Sequence, residues 1–416
     1  MDRYDSYKDS GVEWIGEIPS HWKFGPMKYV LSNNDGGVWG KDVEVEGEGV
    51  YVIRSTEITI DGNWNFSNPM RRILDNKEIE KSRLISGDIV ITKSSGSPNH
   101  IGKSVIVSEE IENLICCYSN FVQRIRFKNY SPKLYHYILN SYIVREQYRF
   151  LTQTTTGLGN LSGTTLNEVY LPFIPLSEQQ QIVTFLDDKT QKTDSLIQQK
   201  EKKIELLKEK RTSLINHVVT KGLDTNVEMK DSGVEWIGEI PSHWKTSKLK
   251  YSCQITYGIS PPDTTYNDEG IGIELINGPV EYSKSDFGYT RSSKWTTEPK
   301  KYSKRNSLLF CLRGSTTGRM NITHKDVSIG RGVCSINSIQ GEQWFMIYSM
   351  FILRIYIQKL ISGSTFPSVT KDDVDNYVIC NPPINEQQQI VEYLDKQTEE
   401  IDTLIQLEQK KIDTLK

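Results

Sequence analysis

The sequence predicts an α+β protein. It has two mixed α/β domains joined by two long helices that form an antiparallel coiled coil, with pseudo-twofold symmetry overall. Three observations predict this. The stretch KDSGVEWIGEIPSHWK at 8–23 returns unchanged at 230–245, so the chain is built by duplication. SEQQQIV at 177–183 returns as NEQQQIV at 385–391, each followed by a related charged segment with a sparse apolar seam. Between these constant pieces lie two long stretches that barely resemble each other. The predicted boundaries are 1–176 for the first domain with its repeat segment and 177–221 for the central helix. The second domain with its repeat segment follows at 222–384, then a short distal helix at 385–416.

The helices follow from spacing. Ile182, Leu186, Thr193, Ile197, Ile204, Leu207, Leu214 and Val218 advance by alternating steps near three and four, the signature of a coiled-coil strand. Ile390, Leu394, Ile401, Leu404, Ile412 and Leu415 draw the same seam in the second copy. Ser177 and Asn385 are expected N-caps, with Gln180 and Gln388 in capping-box position, and Lys221-Gly222 supplies a C-terminal stop. The central helix should run about forty residues, or roughly 60 Å. A narrow seam needs a partner, and the duplicate helix is the obvious one. The long domain between the two helices makes the pairing antiparallel. The second copy ends at Lys416, level with Lys208 of the first; either the chain is truncated or the distal helix is short.

In the variable stretches, GVYVIRS (49–55), DIVITKS (88–94), SVIVS (104–108) and FVQRIRF (121–127) are strand-like. The aromatic stretches 133–151 and 342–361 should each form a core helix. Faint echoes link the two stretches: SGDIVITKSSG (86–96) with RNSLLFCLRGS (305–315), and TTTGLGNLS (154–162) with SGSTFPSVT (362–370).

At 416 residues, 37% hydrophobic and 25% charged, the chain suits a globular protein of two or more domains. No apolar run reaches membrane-spanning length, and MDRYDSYKDSG lacks the basic and apolar regions of a signal peptide. Six scattered cysteines without CxxC spacing fit a reducing, cytoplasmic setting and argue against zinc. The net charge of −3 conceals a basic stretch between Arg291 and Arg331, opposed only by Glu298 and Asp326. Such a stretch is either a DNA-facing surface or a solvated face balanced by acids elsewhere.

Several motifs resemble catalytic ones without meeting their geometry. GSPNHIGKS (96–104) places five residues where a phosphate-binding loop needs four. Asn381-Pro382-Pro383-Ile384 resembles the N-P-P-aromatic motif of adenine-N6 methyltransferases. It ends in isoleucine and has no methyl-donor glycine motif upstream, so it reads as a helix entry. His21 and His243, each between Ser and Trp, have no duplicated triad partner and read as packed or interface histidines.

The order G-V-E-W-I-G-E-I-P-x-x-W, variable domain, P-x-x-E-Q-Q-x-I, long helix, all present twice, resembles the specificity (S) subunit of type I restriction–modification systems. The resemblance covers nearly the whole chain. It implies that each variable stretch is a target-recognition domain reading one half of a bipartite double-stranded DNA site. The coiled coil would set the spacing, and two methyltransferase (M) subunits would dock on the constant parts. Restriction (R) subunits would complete the nuclease. The resemblance also implies a non-catalytic chain without cofactors, with S-adenosylmethionine and ATP on the partner subunits.

Base readout needs side chains that differ between targets, whereas a fixed partner needs the same ones. The DNA candidates in the first domain are therefore Arg54, Arg71, Arg72, Lys93, Ser95 and Lys103. Those in the second are Arg291, Lys294, Arg313, Thr316, Arg319 and Arg331. Trp14, Trp22, Trp236 and Trp244 are either core residues or partner anchors. Gln179, Gln180, Gln387 and Gln388 either bridge to that partner or cap and solvate the helix starts. Rival readings are a self-contained methyltransferase–endonuclease, which lacks a methyl-donor motif, and a coiled-coil adapter without a DNA role.

Overall fold

The computed structural model describes residues 4–12, 15–45, 47–94, 100–152, 160–285, 287–314, 316–361 and 368–415. They form two compact units, divided after Thr193 within the central helix.

In the first unit the repeat segment makes a small antiparallel hairpin of β1 (Tyr7–Asp9) and β2 (Glu17–Pro19). After β3 (Lys23–Pro26) come β4 (Leu31–Gly36), β5 (Val50–Ile53), β6 (Arg71–Arg72) and helix α1 (Asn76–Ser82). Then follow β7 (Ile89–Thr92), β8 (Ser104–Ile106), helix α2 (Glu109–Asn113), β9 (Cys116–Tyr118) and β10 (Val122–Phe127). These strands sort into a four-stranded antiparallel sheet, β4-β10-β7-β8, and a three-stranded sheet, β6-β5-β9, in which β5 and β9 run parallel. Helices α3 (Pro132–Asn140), α4 (Tyr142–Leu151) and α5 (Gly163–Asn167) follow. The last strand, β11 (Tyr170–Phe173), pairs back on β3.

The central strand β7 is apolar on both faces because both are covered. Ile89 and Ile91 join a cluster with Leu134, Tyr135 and Leu139 of α3, while Val90 joins Ile53, Cys116 and Tyr118 on the other side. The single helix expected over 133–151 is two helices. Asn140 Nδ2 donates to the His136 carbonyl (3.2 Å) and Ser141 Oγ to that of Ile138 (2.6 Å). Such local bonds compete with the helix ladder, and Ser141 adopts an extended conformation.

The central helix α6 spans Leu176–Lys221, and Gly222 ends it at φ +78°. The second unit then repeats the first. β12 (Met229–Asp231) and β13 (Glu239–Pro241) form the same hairpin. β14 (Lys245–Lys248), helix α7 (Leu249–Ser252), β15 (Cys253–Tyr257), β16 (Tyr266–Asn267), β17 (Ile273–Ile276), β18 (Trp295–Thr296) and β19 (Tyr302–Ser303) follow. β20 (Leu308–Cys311), β21 (Met320–Ile322), β22 (Val327–Ile329) and β23 (Val333–Ser338) complete the sheets. One sheet has the order β15-β23-β20-β21, matching β4-β10-β7-β8 strand for strand. The other holds the parallel pair β17–β22, matching β5–β9. Helix α8 (Gln343–Ile361), helix α9 (Lys371–Asn376), β24 (Val378–Asn381) on β14, and helix α10 (Ile384–Leu415) end the chain.

Within the second unit α10 packs along the distal part of α6. Lys200 and Lys203 each place Nζ 2.9 Å from the Glu408 carboxylate, and Arg211 reaches Asp402 at 3.2 Å. Numbers rise on one helix as they fall on the other, so the pair is antiparallel. Ile204 and Val218 are buried and Ile197, Leu207 and Leu214 half-buried, as the seam predicts. Leu404 differs: it is 43% exposed. The inward row runs Ile401, Ile405, Glu408, Ile412, in steps of four, three and four, and so passes Leu404 by.

Candidate nucleic-acid interface

Each repeat segment is fastened to the start of its long helix by the glutamate of EQQQIV. In the first unit the Glu178 carboxylate accepts hydrogen bonds from Tyr4 OH (2.8 Å), His21 Nε2 (2.7 Å) and Trp22 Nε1 (3.1 Å). Partial burial pushes this carboxyl up, but the three donors outweigh it, and Glu178 titrates below the ordinary carboxylate range. In the second unit Glu386 accepts from His243 Nε2 and Trp244 Nε1, both at 2.8 Å. The next residue closes the joint. Gln179 accepts from Ser131 N (2.6 Å) and donates to the Ile174 carbonyl (2.8 Å). Gln387 accepts from Glu342 N and donates to the Pro382 carbonyl, both at 2.8 Å. About two turns on, Asp187 accepts from Tyr137 OH and Asp395 from Tyr348 OH.

These bonds change the reading of the constant residues. Gln179 and Gln387 were expected to bridge to a partner or to cap and solvate a helix start, and Trp244 to be either a core residue or a partner anchor. All three are buried, and their polar atoms are occupied inside their own unit. Ser177 and Asn385 lie inside helices that begin at Leu176 and Ile384, where the carbonyls of Pro175 and Pro383 accept the first helical N–H groups. Gln180 and Gln388 are exposed and Trp22 and Trp236 half-buried, so these retain surface for a partner. Trp236 borders an open groove of about 640 Å³ with Ile352, Ile355, Tyr356 and the Lys208–Asn216 side of α6. Trp14 lies outside the described residues.

The basic candidates of the first unit are largely occupied. Lys103 is buried, and its Nζ donates to the Ile58 carbonyl. Burial, with Arg145 nearby, pushes its ammonium pKa down. Arg72 is buried too, paired with Asp42 and stacked 4.2 Å from the centre of the Trp39 ring. Lys103 and Arg72 are thus structural cations, contrary to the expectation of DNA contact. Arg54 grips the buried Glu57 carboxylate at 2.6 Å. Arg71 lies over Tyr51 at 4.2 Å and donates to the carbonyls of Gly47 and Gly49. Lys93 is half-buried at the end of β7, and Ser95 is outside the described residues.

The second unit leaves more charge in solvent. Arg291, Arg313 and Arg331 are exposed, and among the described residues none makes a side-chain hydrogen bond or ion pair. Arg319 donates to the Ser283 carbonyl (3.3 Å), Lys294 lies over Tyr266 at 5.5 Å, and the Thr316 hydroxyl sits 3.6 Å from Cys311 Sγ. Arg313 and Arg331 lie on neighbouring loops, since Leu312 N donates to the Gly332 carbonyl at 2.9 Å. A search for cations gives no signal for Trp39 and Phe121. They stack edge to face at 5.5 Å and are 37% and 46% exposed. The signal the sequence offers for Trp39 is its place beside the paired glycines Gly36-Gly37; Phe121 has no such signal.

Residues 19–206 and 241–416 match the family described as Type I restriction modification DNA specificity domain. Among relatives, a protein described as "Putative type I restriction enzyme MjaX specificity subunit" from Methanocaldococcus jannaschii is 29% identical. That match covers 95% of this chain and 90% of the relative. The MjaVIII specificity subunit of the same organism is 26% identical over 88% of this chain and 83% of its own length. A chain solved in a study of complex assembly and conformational transition of the type I R-M system shares the fold. Its TM-score is 0.72 at 19% identity, covering 96% of this chain and 95% of that one. The HsdS subunit from Thermoanaerobacter tengcongensis matches with TM-score 0.52, also at 19% identity, over 96% of this chain and 97% of its own.

Proposed function

The chain belongs to the type I restriction modification DNA specificity family, and we propose that it is the DNA-reading, non-catalytic subunit of such an enzyme. Each mixed α/β unit reads one half of a bipartite target in double-stranded DNA. The paired helices set the spacing between the halves. Two methyltransferase subunits dock on the constant parts, of which Gln180, Gln388, Trp22 and Trp236 keep exposed surface. Those subunits bring S-adenosylmethionine and methylate adenine, and restriction subunits bring ATP and cleavage. The setting is cytoplasmic; among the described residues no helix is long and apolar enough to cross a membrane.

One observation carries this reading. Two units share the strand order of their four-stranded sheets and a helix junction in which Glu binds His and Trp, while the residues on their exposed loops differ. A single repeated task would keep the same loops in both units. Reading two unlike sequences through one framework requires them to differ.

The test is to map genomic adenine methylation in cells with and without this chain. A split motif that vanishes on deletion is the expected result. A methylation pattern that does not change, in cells shown to express all the subunits, would sink the proposal.

A further inference from the structure

Backbone hydrogen bonds allow the two units to be matched residue by residue where their sequences do not align. Val38 N donates to the Tyr118 carbonyl (2.9 Å) as Ile259 N does to that of Ile329 (3.1 Å). Lys93 N donates to Phe121 O (3.0 Å) as Leu312 N does to Gly332 O (2.9 Å). Leu161 N donates to Lys93 O (2.8 Å) as Val369 N does to Leu312 O (2.9 Å). The bridge Ser94↔Asn160 corresponds to Arg313↔Ser368, and the ladder pair Val122↔Thr92 to Val333↔Cys311. Gly37 and Gly258 then coincide. At both a Cβ would lie near 2 Å from a backbone oxygen of the neighbouring loop (2.0 and 2.1 Å), so the loops cross where only glycine fits.

This register equates Trp39 with Ser260, Ser94 with Arg313, Asn120 with Arg331 and Phe121 with Gly332. All eight lie at one edge of the four-stranded sheet of their own unit, on loops joined by the bonds above. In the first unit two positions carry large apolar rings and two carry small polar groups. In the second the same two ring positions hold Ser and Gly, and the other two hold arginines. Arg313 and Arg331 are exposed and unpaired among the described residues, and the rings are partly exposed. Arg72 backs Trp39 from inside, its charge answered by Asp42, so it positions the ring rather than gripping phosphate.

We infer that this sheet edge is the base-reading site of each unit, with two different chemistries. Arg313 and Arg331 present guanidinium forks suited to the O6 and N7 acceptors of guanine in the major groove. Trp39 and Phe121 present rings suited to thymine methyl groups or to a deformable base step; Phe121 has no hydrogen-bonding group, and Trp39 has one indole donor in place of a guanidinium fork. The half-site read by the second unit therefore contains guanine at the contacted positions, and the half-site read by the first contains an A·T pair.

This rests on the reading of the chain as a recognition subunit, and the experiment separates the two. The full chain, assembled with its modification subunits, would be tested against a randomised DNA library, with methylated products sequenced. Wild type should give a bipartite motif; if it gives none, the recognition reading itself fails. Given a motif, Arg331→Ala and Arg313→Ala should each lower preference for a guanine on the order of tenfold or more, in one half only. Arg331→Lys should keep most affinity while still losing that preference. Phe121→Ala and Trp39→Ser should relax an A·T position in the other half only. An unchanged motif in assembled variants, or equal loss for all sequences, would overturn the assignment of this edge while leaving the recognition reading intact.

Discussion

The joints that matter most to folding are single acidic residues. Glu386 is the acceptor for the indole N–H of Trp244, which is fully buried, and for His243. Removing the acceptor leaves a buried donor without a partner, which costs about 1–3 kcal/mol. Glu386→Ala should therefore lower the urea midpoint of the transition reported by Trp244 fluorescence. Glu386→Gln should do so less, because its amide oxygen can still accept from the indole. Equal stability of the alanine variant and wild type would show that the joint is not a structural clamp. The duplication displays this glutamate beside the glutamines in the sequence. Residue type alone favours glutamine as a bridging side chain, and only the bonds to His and Trp reveal that glutamate holds the repeat segment.

At the scale of elements, Glu408 occupies a seam position where the pattern calls for an apolar residue. In the repeat it aligns with Lys200, and the two meet: Lys200, Lys203 and Lys411 surround its carboxylate at 2.9, 2.9 and 3.2 Å. Two copies of α6 paired this way would set Lys200 against Lys200, and two copies of α10 would set glutamate against glutamate. The charge thus selects α6 with α10, as one polar seam residue can specify coiled-coil partners. Glu408→Lys should loosen the pairing, seen as a lower thermal midpoint. Adding Lys200→Glu and Lys203→Glu should recover part of it. The bonds from Lys203, Lys200 and Lys411 hold the Glu408 pKa at about 2, against an ordinary 4.5. Its stabilisation is therefore present above pH 4.5 and fades as pH falls toward 2. The midpoint difference between wild type and Glu408→Gln should shrink over that window; a constant difference would mean that charge is not the cause. The helix pairing was legible because a seam with step three and four is a local pattern. Leu404 was misplaced because that pattern treats any leucine as inward, while the turn of the helix admits Glu408 once three ammonium groups surround it. The strands at 89–92 and 308–311 were legible through the echo between 86–96 and 305–315, and the matched hydrogen bonds show the echo to be in register. Of the proposed reading edge, Arg313 and Arg331 were legible as exposed basic candidates, whereas Trp39, Phe121 and the matching of the two units were not. The edge depends on loops distant in sequence and on cations whose burial no local pattern reports.

For the whole molecule, 50 Lys and Arg stand against 53 Asp and Glu, and several arginines of the first unit are already answered internally. Arg54, Arg72, Arg124 and Arg126 pair with Glu57, Asp42, Asp35 and Asp88. DNA affinity falls with salt in proportion to the phosphates neutralised, with a slope near −0.9 per contact. A chain with a net charge of −3 is expected to supply only part of the slope of a large DNA-bound enzyme. If the grip on phosphate comes mainly from partner subunits, the assembled complex should show a steep log–log slope. Replacing both Arg313 and Arg331 with alanine should then reduce it by only about two. Fluorescence anisotropy with labelled target DNA across a salt series measures this directly. A slope that collapses in the double variant would place the phosphate grip on this chain. A steep slope that survives, with selectivity lost, would divide the labour: base reading by this chain, phosphate binding by its partners.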